Sequence, residues 1–456
     1  MLSIAPLASA DYYLGSSVSS GEAFAYFEAN KGVGALDPLL RQGRWLGHFS
    51  ATLGLATGSP IAAADFEAIY YGLHPKTGKP LRSDGKSRKA QMKDAKERAQ
   101  CKQQLELASR AYNQCRSELR IIEKSIEMLP DQAGAAGAAH LFKHAQSPER
   151  SRLDSAAATL AKAEHAFRIA RQKSLRPGTD LVFSAPKSVS MQWAALAATG
   201  DASGAQVIEQ AHDRAVRETF ERLQSEFVMT RKRDPETSRR IFETVRGVIA
   251  SQWRHFDARP TQRPGAKVAV PDPQLHDHIN LFAPVQGADG QIYSAYTDYI
   301  RQNVKALGAM YRSRLASCLS QAGYQIERDP QKNGMFFALC GVGRDQAKAL
   351  SARAASIEAL IDQGRSVRDA KLHSRQAKNS LSGSEVLAAW GQTFAALGMD
   401  PQVVKVARVQ SSIERGVRAR SDAEILEALL SRDAHFSLSD IRQLLWEDAQ
   451  LSLIHI

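Results

Sequence analysis

The sequence predicts an α+β protein with a central, largely antiparallel β-sheet flanked by helices. Three observations carry this. Runs rich in β-branched and aromatic residues cluster in one part of the chain, as in "TDLVF", "RRIFETVRGVIASQWRHFDA" and "HDHINLF". An Asp-Gly pair in "GADGQIYSAY" supplies a turn of the hairpin kind. Stretches with helical periodicity bracket the strand cluster rather than alternating with each strand.

Taken in order, residues 1 to about 84 mix short apolar runs with turn signals such as "HPKTGKPL" (His74 to Leu81) and read as compact. From Lys86 to Leu129 there is no glycine or proline, and Leu105, Ala108, Tyr112, Cys115, Leu119, Ile122, Ile126 and Leu129 recur at alternating steps of three and four. That spacing is the seam of a long helix packing on a partner. Pro130 ends it, and "AGAAGAA" (Ala133 to Ala139) reads as a loose turn. A second seam, Leu153, Ala156, Leu160, Ala163, Phe167 and Ala170, stops at Pro177-Gly178. Residues 86–173 are therefore expected to form an antiparallel helical hairpin, a structural insertion. Leu181 to Phe183 read as a short strand, after which Ser188 or Ser190 is placed to cap a helix. Residues 205 to 228 read as a helix, Arg239 to Ala258 as one or two strands, and about 297 to 322 as a helix. The chain is mostly helical from 343 onward.

At 456 residues the length predicts two or three domains. Lys and Arg number 60 against 48 Asp and Glu, a net charge of +12, which makes a polyanion a plausible partner. The four cysteines have no CxxC spacing, so neither a zinc-cysteine site nor a disulfide framework is expected, and a reducing compartment fits. No apolar run is long enough for membrane insertion, and the start "MLSIAPLASA" lacks the basic leader of a signal peptide. The expectation is a cytoplasmic protein.

The stretch "PDPQLHDHINLF" contains His276 and His278 one residue apart. Residues i and i+2 of a strand face the same side, so both imidazoles can reach one ion. His255, ending the preceding strand-like run in "SQWRHFDARP", is placed to be a third ligand across an antiparallel pair. The alternative is a set of core histidines. Tyr12 and Tyr13 lie together near the N-terminus and Tyr26 follows in "FAYFEA". Core packing is the ordinary role of such residues. A tyrosine hydroxyl, with a pKa of about 10, becomes a useful nucleophile when a metal polarises the electrophile and a base accepts its proton.

Four stretches in order, "MLSIAPLASADYYL", "GRWLGHFSATLGL", "GTDLVFSAPKSVS" and "DPQLHDH", resemble the conjugative relaxases of the MobF class, a branch of the HUH endonucleases. The likeness covers residues 1 to about 84 and 176 to 330. It implies that Tyr12 is the nucleophile, Tyr13 its neighbour in reserve, and Tyr26 the counterpart of a second tyrosine motif. It implies that His255, His276 and His278 hold a divalent metal ion, Mg2+ or Mn2+. Asp180 then accepts the tyrosine proton or orients a histidine, and Lys187 contacts phosphate. Three departures stand out: Phe27 follows Tyr26 where a second tyrosine is usual, the segment between His255 and His276 is longer and proline-rich, and the hairpin at roughly 86 to 173 interrupts the domain. Asp277, between the two histidines, is also polar where the class name implies an apolar residue.

The domains implied are a relaxase (HUH) domain over 1–342 carrying the 86–173 insertion, a helical closing segment over 343–403, and over 404–456 the start of a helicase-like region in a truncated reading frame. No GxxxxGK[ST] phosphate loop is present, so this chain is not expected to be an ATP-driven helicase. The expected activity is metal-dependent nicking of transfer-origin DNA through a 5′-phosphotyrosine intermediate, with relaxosome accessory proteins and a coupling protein as partners. The rivals are a rolling-circle replication initiator, a His-triad hydrolase and a non-catalytic DNA-binding protein.

Overall fold

The computed structural model describes residues 1–7, 43–83, 85–86, 88–127, 135–173, 177–234, 236–258, 269–331, 334–374, 383–399, 421–431 and 436–450. The chain divides into two compact units, Ser83–Arg176 and the remainder.

The larger unit opens with strands β1 (Leu2–Pro6) and β2 (Arg44–Leu46) and helices α1 (His48–Thr52) and α2 (Ala63–Tyr70). The smaller unit is α3 (Arg88–Glu127) and α4 (Ala135–Lys173), which pack on each other. Leu105, Ala108, Tyr112, Cys115, Leu119 and Ile122 are the less exposed positions of α3's seam, as are Leu153, Ala156, Leu160, Ala163, Phe167 and Ala170 on α4. One expectation is corrected: from Ala135 the "AGAAGAA" stretch is already helix rather than loose turn. The high helix propensity of alanine outweighs Gly137 there.

The larger unit resumes with β3 (Gly178–Ser184), α5 (Lys187–Ala198), α6 (Ala202–Glu226), β4 (Met229–Arg233), β5 (Arg240–Thr244), β6 (Gly247–Asp257), β7 (Pro273–Gln286) and β8 (Ile292–Tyr296). These strands form one eight-stranded sheet in which every pairing is antiparallel. The long strand β7 is its spine. One edge of β7 pairs with β6, which in turn carries β2. The other edge pairs first with β3, which carries β1, and then with β8, which leads to β4 and β5. The anticipated single helix over 297–322 is broken at Asn303 into α7 (Asp298–Gln302) and α8 (Val304–Gln321). A β9 (Ile326–Gln331)/β10 (Gly334–Leu339) hairpin follows. Then come α9 (Arg344–Ala349), α10 (Ala352–Asp362), α11 (Val367–His373), α12 (Gly383–Ala396), α13 (Asp422–Leu430) and α14 (Leu438–Ala449).

The period-2 alternation of β6 and β7 gives the sheet two apolar faces. Val248, Ala250, Ile279 and Leu281 join the main core with Trp193 of α5, Phe220 of α6 and Tyr311 of α8. Ile249, Trp253 and Phe282 join a second core with Trp45, Phe49 of α1 and Phe66 of α2. Phe66 sits edge-on to both Trp253 and Phe282, with ring centroids 5.7 and 5.5 Å apart. Ser188 and Ser190 do not cap α5, which starts after Pro186 with no side-chain cap. Their hydroxyls instead accept from the backbone N–H groups of Leu339 and Leu275, both at 3.0 Å, tying α5 to β10 and β7. At the C-terminal end, α14 packs on α8, and Gln450 donates to the Met335 carbonyl at 3.1 Å. No described helix is long and apolar enough to cross a membrane.

Candidate metal centre and nucleic-acid interface

The register of β7 decides what meets at its N-terminal half. On one edge His276 lies opposite His255 of β6, and His278 opposite Trp253. On the other edge His276 lies opposite Ser184 of β3, His278 opposite Val182, and Asn280 opposite Asp180. Directly opposed residues share a face, so His255, His276, His278 and Asp180 project to the same side of the sheet. The three imidazole centroids are 5.1, 4.9 and 5.2 Å apart, and one ring nitrogen from each lies within 4.8 Å of the others. The structure therefore places His255 beside the other two despite the long intervening segment.

Two of the rings are oriented by their second nitrogen. His278 Nδ1 lies 2.9 and 3.0 Å from the two Asp180 carboxylate oxygens, and His276 Nδ1 lies 2.8 Å from the Gln274 carbonyl. Both partners only accept, so each Nδ1 carries a proton and Nε2 is the ring atom turned towards the other histidines' side as the candidate metal donor. Burial, and then the neighbouring imidazoles, hold His255 well below the usual histidine range and push His276 down to about 4. Both are neutral near pH 7, the form that binds a metal. Three imidazole nitrogen donors, two of them steered by an acceptor behind the ring, fit a divalent metal.

The remaining expected residues are distributed as follows. Lys187 starts α5, and its ammonium donates to the Pro273 carbonyl at 2.7 Å, at the head of β7. Tyr12, Tyr13 and Tyr26 lie outside the described residues. Leu7, the last described residue before them, bonds through its N–H to the Gly178 carbonyl, and Ala5 of β1 lies opposite Asp180.

A second surface was passed over in the sequence. On the β4–β5 ribbon Arg231 lies opposite Phe242 and Arg233 opposite Arg240, and all four are exposed. Tyr296 of β8 shares this face, with its ring centroid 4.7 Å from that of Phe242. The signal was there in "TRKRDPETSRR", where Arg231 and Arg233 stand two residues apart and so share one face of a strand, while the residue between them takes the other side. Lys232, on that other side, pairs with Glu243 and Asp289 at 2.8 and 2.9 Å.

Comparison with known proteins gives concordant results. The multifunctional conjugation protein TraI of Escherichia coli is 31% identical over 238 residues, which is 49% of this chain and 12% of TraI. TraI of Escherichia coli strain K12 is 31% identical over 243 residues, again 49% of this chain and 12% of TraI. The chain thus spans about an eighth of these relatives. Among solved structures, the conjugative relaxase TrwC in complex with oriT DNA, in a metal-bound form, matches with a TM-score of 0.54 at 22% identity. That match covers 88% of this chain and 100% of the other. The family model described as TrwC relaxase matches residues 8–397, and the chain belongs to the TrwC relaxase family.

Proposed function

We propose that this chain is a conjugative DNA relaxase that nicks one strand of transfer-origin DNA by tyrosine transesterification. The observation that carries the reading is the meeting of His255, His276 and His278 on one face, with Asp180 behind His278, in a chain of this family.

In this reading the three histidines hold a divalent ion, which supplies positive charge to a scissile phosphate. Imidazole donors favour manganese, zinc or nickel over magnesium in affinity, while Mg2+ is the abundant ion. Tyr12 attacks the phosphorus. The tyrosine O–P bond forms, the bond from phosphorus to the 3′-oxygen breaks, the tyrosine proton passes to a base, and the 3′-oxygen takes up a proton. The products are a 5′-phosphotyrosine and a 3′-hydroxyl that can reverse the step. Asp180 acts by fixing the tautomer and orientation of His278. Lys187 steadies the head of β7 through its bond to Pro273.

The face made by the exposed Arg231, Arg233, Arg240 and Phe242 with the half-buried Tyr296 supports a DNA partner, since guanidinium groups meet phosphates and rings stack on bases. Relaxosome proteins and a coupling protein complete the proposed assembly.

The test is incubation with labelled single-stranded origin DNA and Mn2+, followed by denaturing gel electrophoresis. A covalent protein–DNA adduct is expected. Free 5′-phosphate product would point to a hydrolase, and a shift only under native conditions to a binding protein.

A further inference from the structure

Asp277, between the two histidines, faces the opposite way. It lies directly opposite Arg254, the residue before His255. The pair forms a two-point fork, Arg254 Nε to Asp277 Oδ1 at 2.8 Å and Nη2 to Oδ2 at 2.9 Å, with both side chains fully buried. Helix α6 closes over it. Arg254 Nη2 also reaches Asp213 at 3.2 Å and its Nη1 the Glu209 carbonyl at 3.4 Å. His212 Nε2 lies 3.3 Å from Asp277 and its Nδ1 2.7 Å from the Tyr311 hydroxyl. Gln252 bridges Asp277 and Asp213, and Arg44 of β2 bonds to both Gln252 and Asp213.

We propose that Arg254 and Asp277 are a positioning pair that fixes the β6–β7 register from the reverse face and so sets the spacing of the three histidine donors. The inference rests on the metal reading above. Two facts make a register device necessary here. A slip by one residue would turn every side chain over, sending His276 and His278 into the core and Asp277 into the site. The β6–β7 pairing is also irregular just past this point, with a register shift between His255 and Asp257. Backbone bonds alone do not distinguish one register from the next, and apolar packing on a strand is tolerant. A planar guanidinium fork accepts its carboxylate in one geometry, and a buried charge left unmatched strongly disfavours any other.

The test compares the wild type with Arg254→Met/Asp277→Leu, Asp277→Asn and His276→Ala. The readouts are Mn2+ affinity by titration calorimetry, the visible spectrum of the Co2+ form, and the melting curve of the metal-free protein. The apolar double variant removes both charges together, the change that buried ion pairs tolerate best. It is expected to melt cooperatively while binding Mn2+ at least about tenfold more weakly, with altered Co2+ bands. Asp277→Asn, which keeps one acceptor, should fall between. A double variant that binds Mn2+ as the wild type does, with an unchanged Co2+ spectrum, would overturn the proposal. Should the double variant not fold, an Asp277→Asn protein of wild-type affinity and spectrum overturns it equally. The His276→Ala control separates the two readings: loss of Mn2+ binding there with none in the pair variants sinks only the positioning role. A wild-type chain that takes up no Mn2+ sinks both.

Discussion

Asp180 and His278 are 98 residues apart in sequence, yet the carboxylate of one lies 2.9 Å from Nδ1 of the other because β3 and β7 are paired neighbours. The interaction sits at the back of the ring, so it acts on a ligand rather than on the ion. Asp180→Asn keeps the shape but removes the charge that holds the Nδ1 proton. Metal affinity should fall by roughly ten- to a hundredfold while the fold persists. Calorimetric titration with Mn2+ checks it, and an unaltered affinity would leave Asp180 with no part in the centre.

Removing any one donor should leave too few ligands. His276→Ala and His278→Ala should each abolish measurable Mn2+ binding and adduct formation, while binding of origin DNA, measured at fixed salt, stays near wild type. His255→Ala should match them, since the structure gives it the same place in the triangle of rings. If the variants melt at lower temperature with metal affinity intact, the histidines belong to the core and to nothing else.

Tyr12→Phe deletes one hydroxyl. The covalent adduct should disappear, and DNA affinity should change little because basic groups and stacking supply it. Adduct formation by Tyr12→Phe, together with its loss in Tyr13→Phe or Tyr26→Phe, would move the nucleophile.

The unit Ser83–Arg176 contains none of the proposed catalytic residues. Replacement of Lys86 to Lys173 by a short Gly/Ser linker should yield a folded protein that still forms the adduct. A folded but inactive product would mean that the helices of that unit take part in cleavage.

Acid should destabilise the metal-free protein. Burial is the largest cause of a lowered pKa at His212, His255 and His276, the last pushed down to about 4. Below a pH of about 6.5 the unfolded chain therefore binds more protons than the native one, so stability is lost as pH falls. For His276 the contribution is complete above about 6.5 and gone by about 4. Melting curves in EDTA should show this decline, and His212→Gln should flatten part of it. A melting temperature constant across that window would contradict the assignment.

Much of this was legible in the sequence because period-2 runs mark strands and a histidine pair at that spacing marks one face. The helical seams were legible for the same reason, each element burying the residues its periodicity selects. What was not legible depended on partners far along the chain. Ser188 and Ser190 look like caps, and only the position of Leu339 and Leu275 reveals them as long-range acceptors. Asp277 reads as an oddity until Arg254 is seen across the strand pair. The ribbon arginines gain a meaning only when Arg231 and Arg233 are set against Phe242 and Tyr296 on the neighbouring strands.

The way β6 and β7 are held together also bears on how such a chain can change over generations. Among the described residues their alignment runs through opposed side chains, Arg254 against Asp277 and His255 against His276, all of which lie outside the segment that joins the two strands. That segment can lengthen, gain prolines or drift in sequence without moving a histidine. Within Trp253 to His255 or His276 to His278, a single inserted or deleted codon inverts the faces at once. Length variation among descendants should therefore gather between Ala258 and Asp272 and stop abruptly at the strand ends.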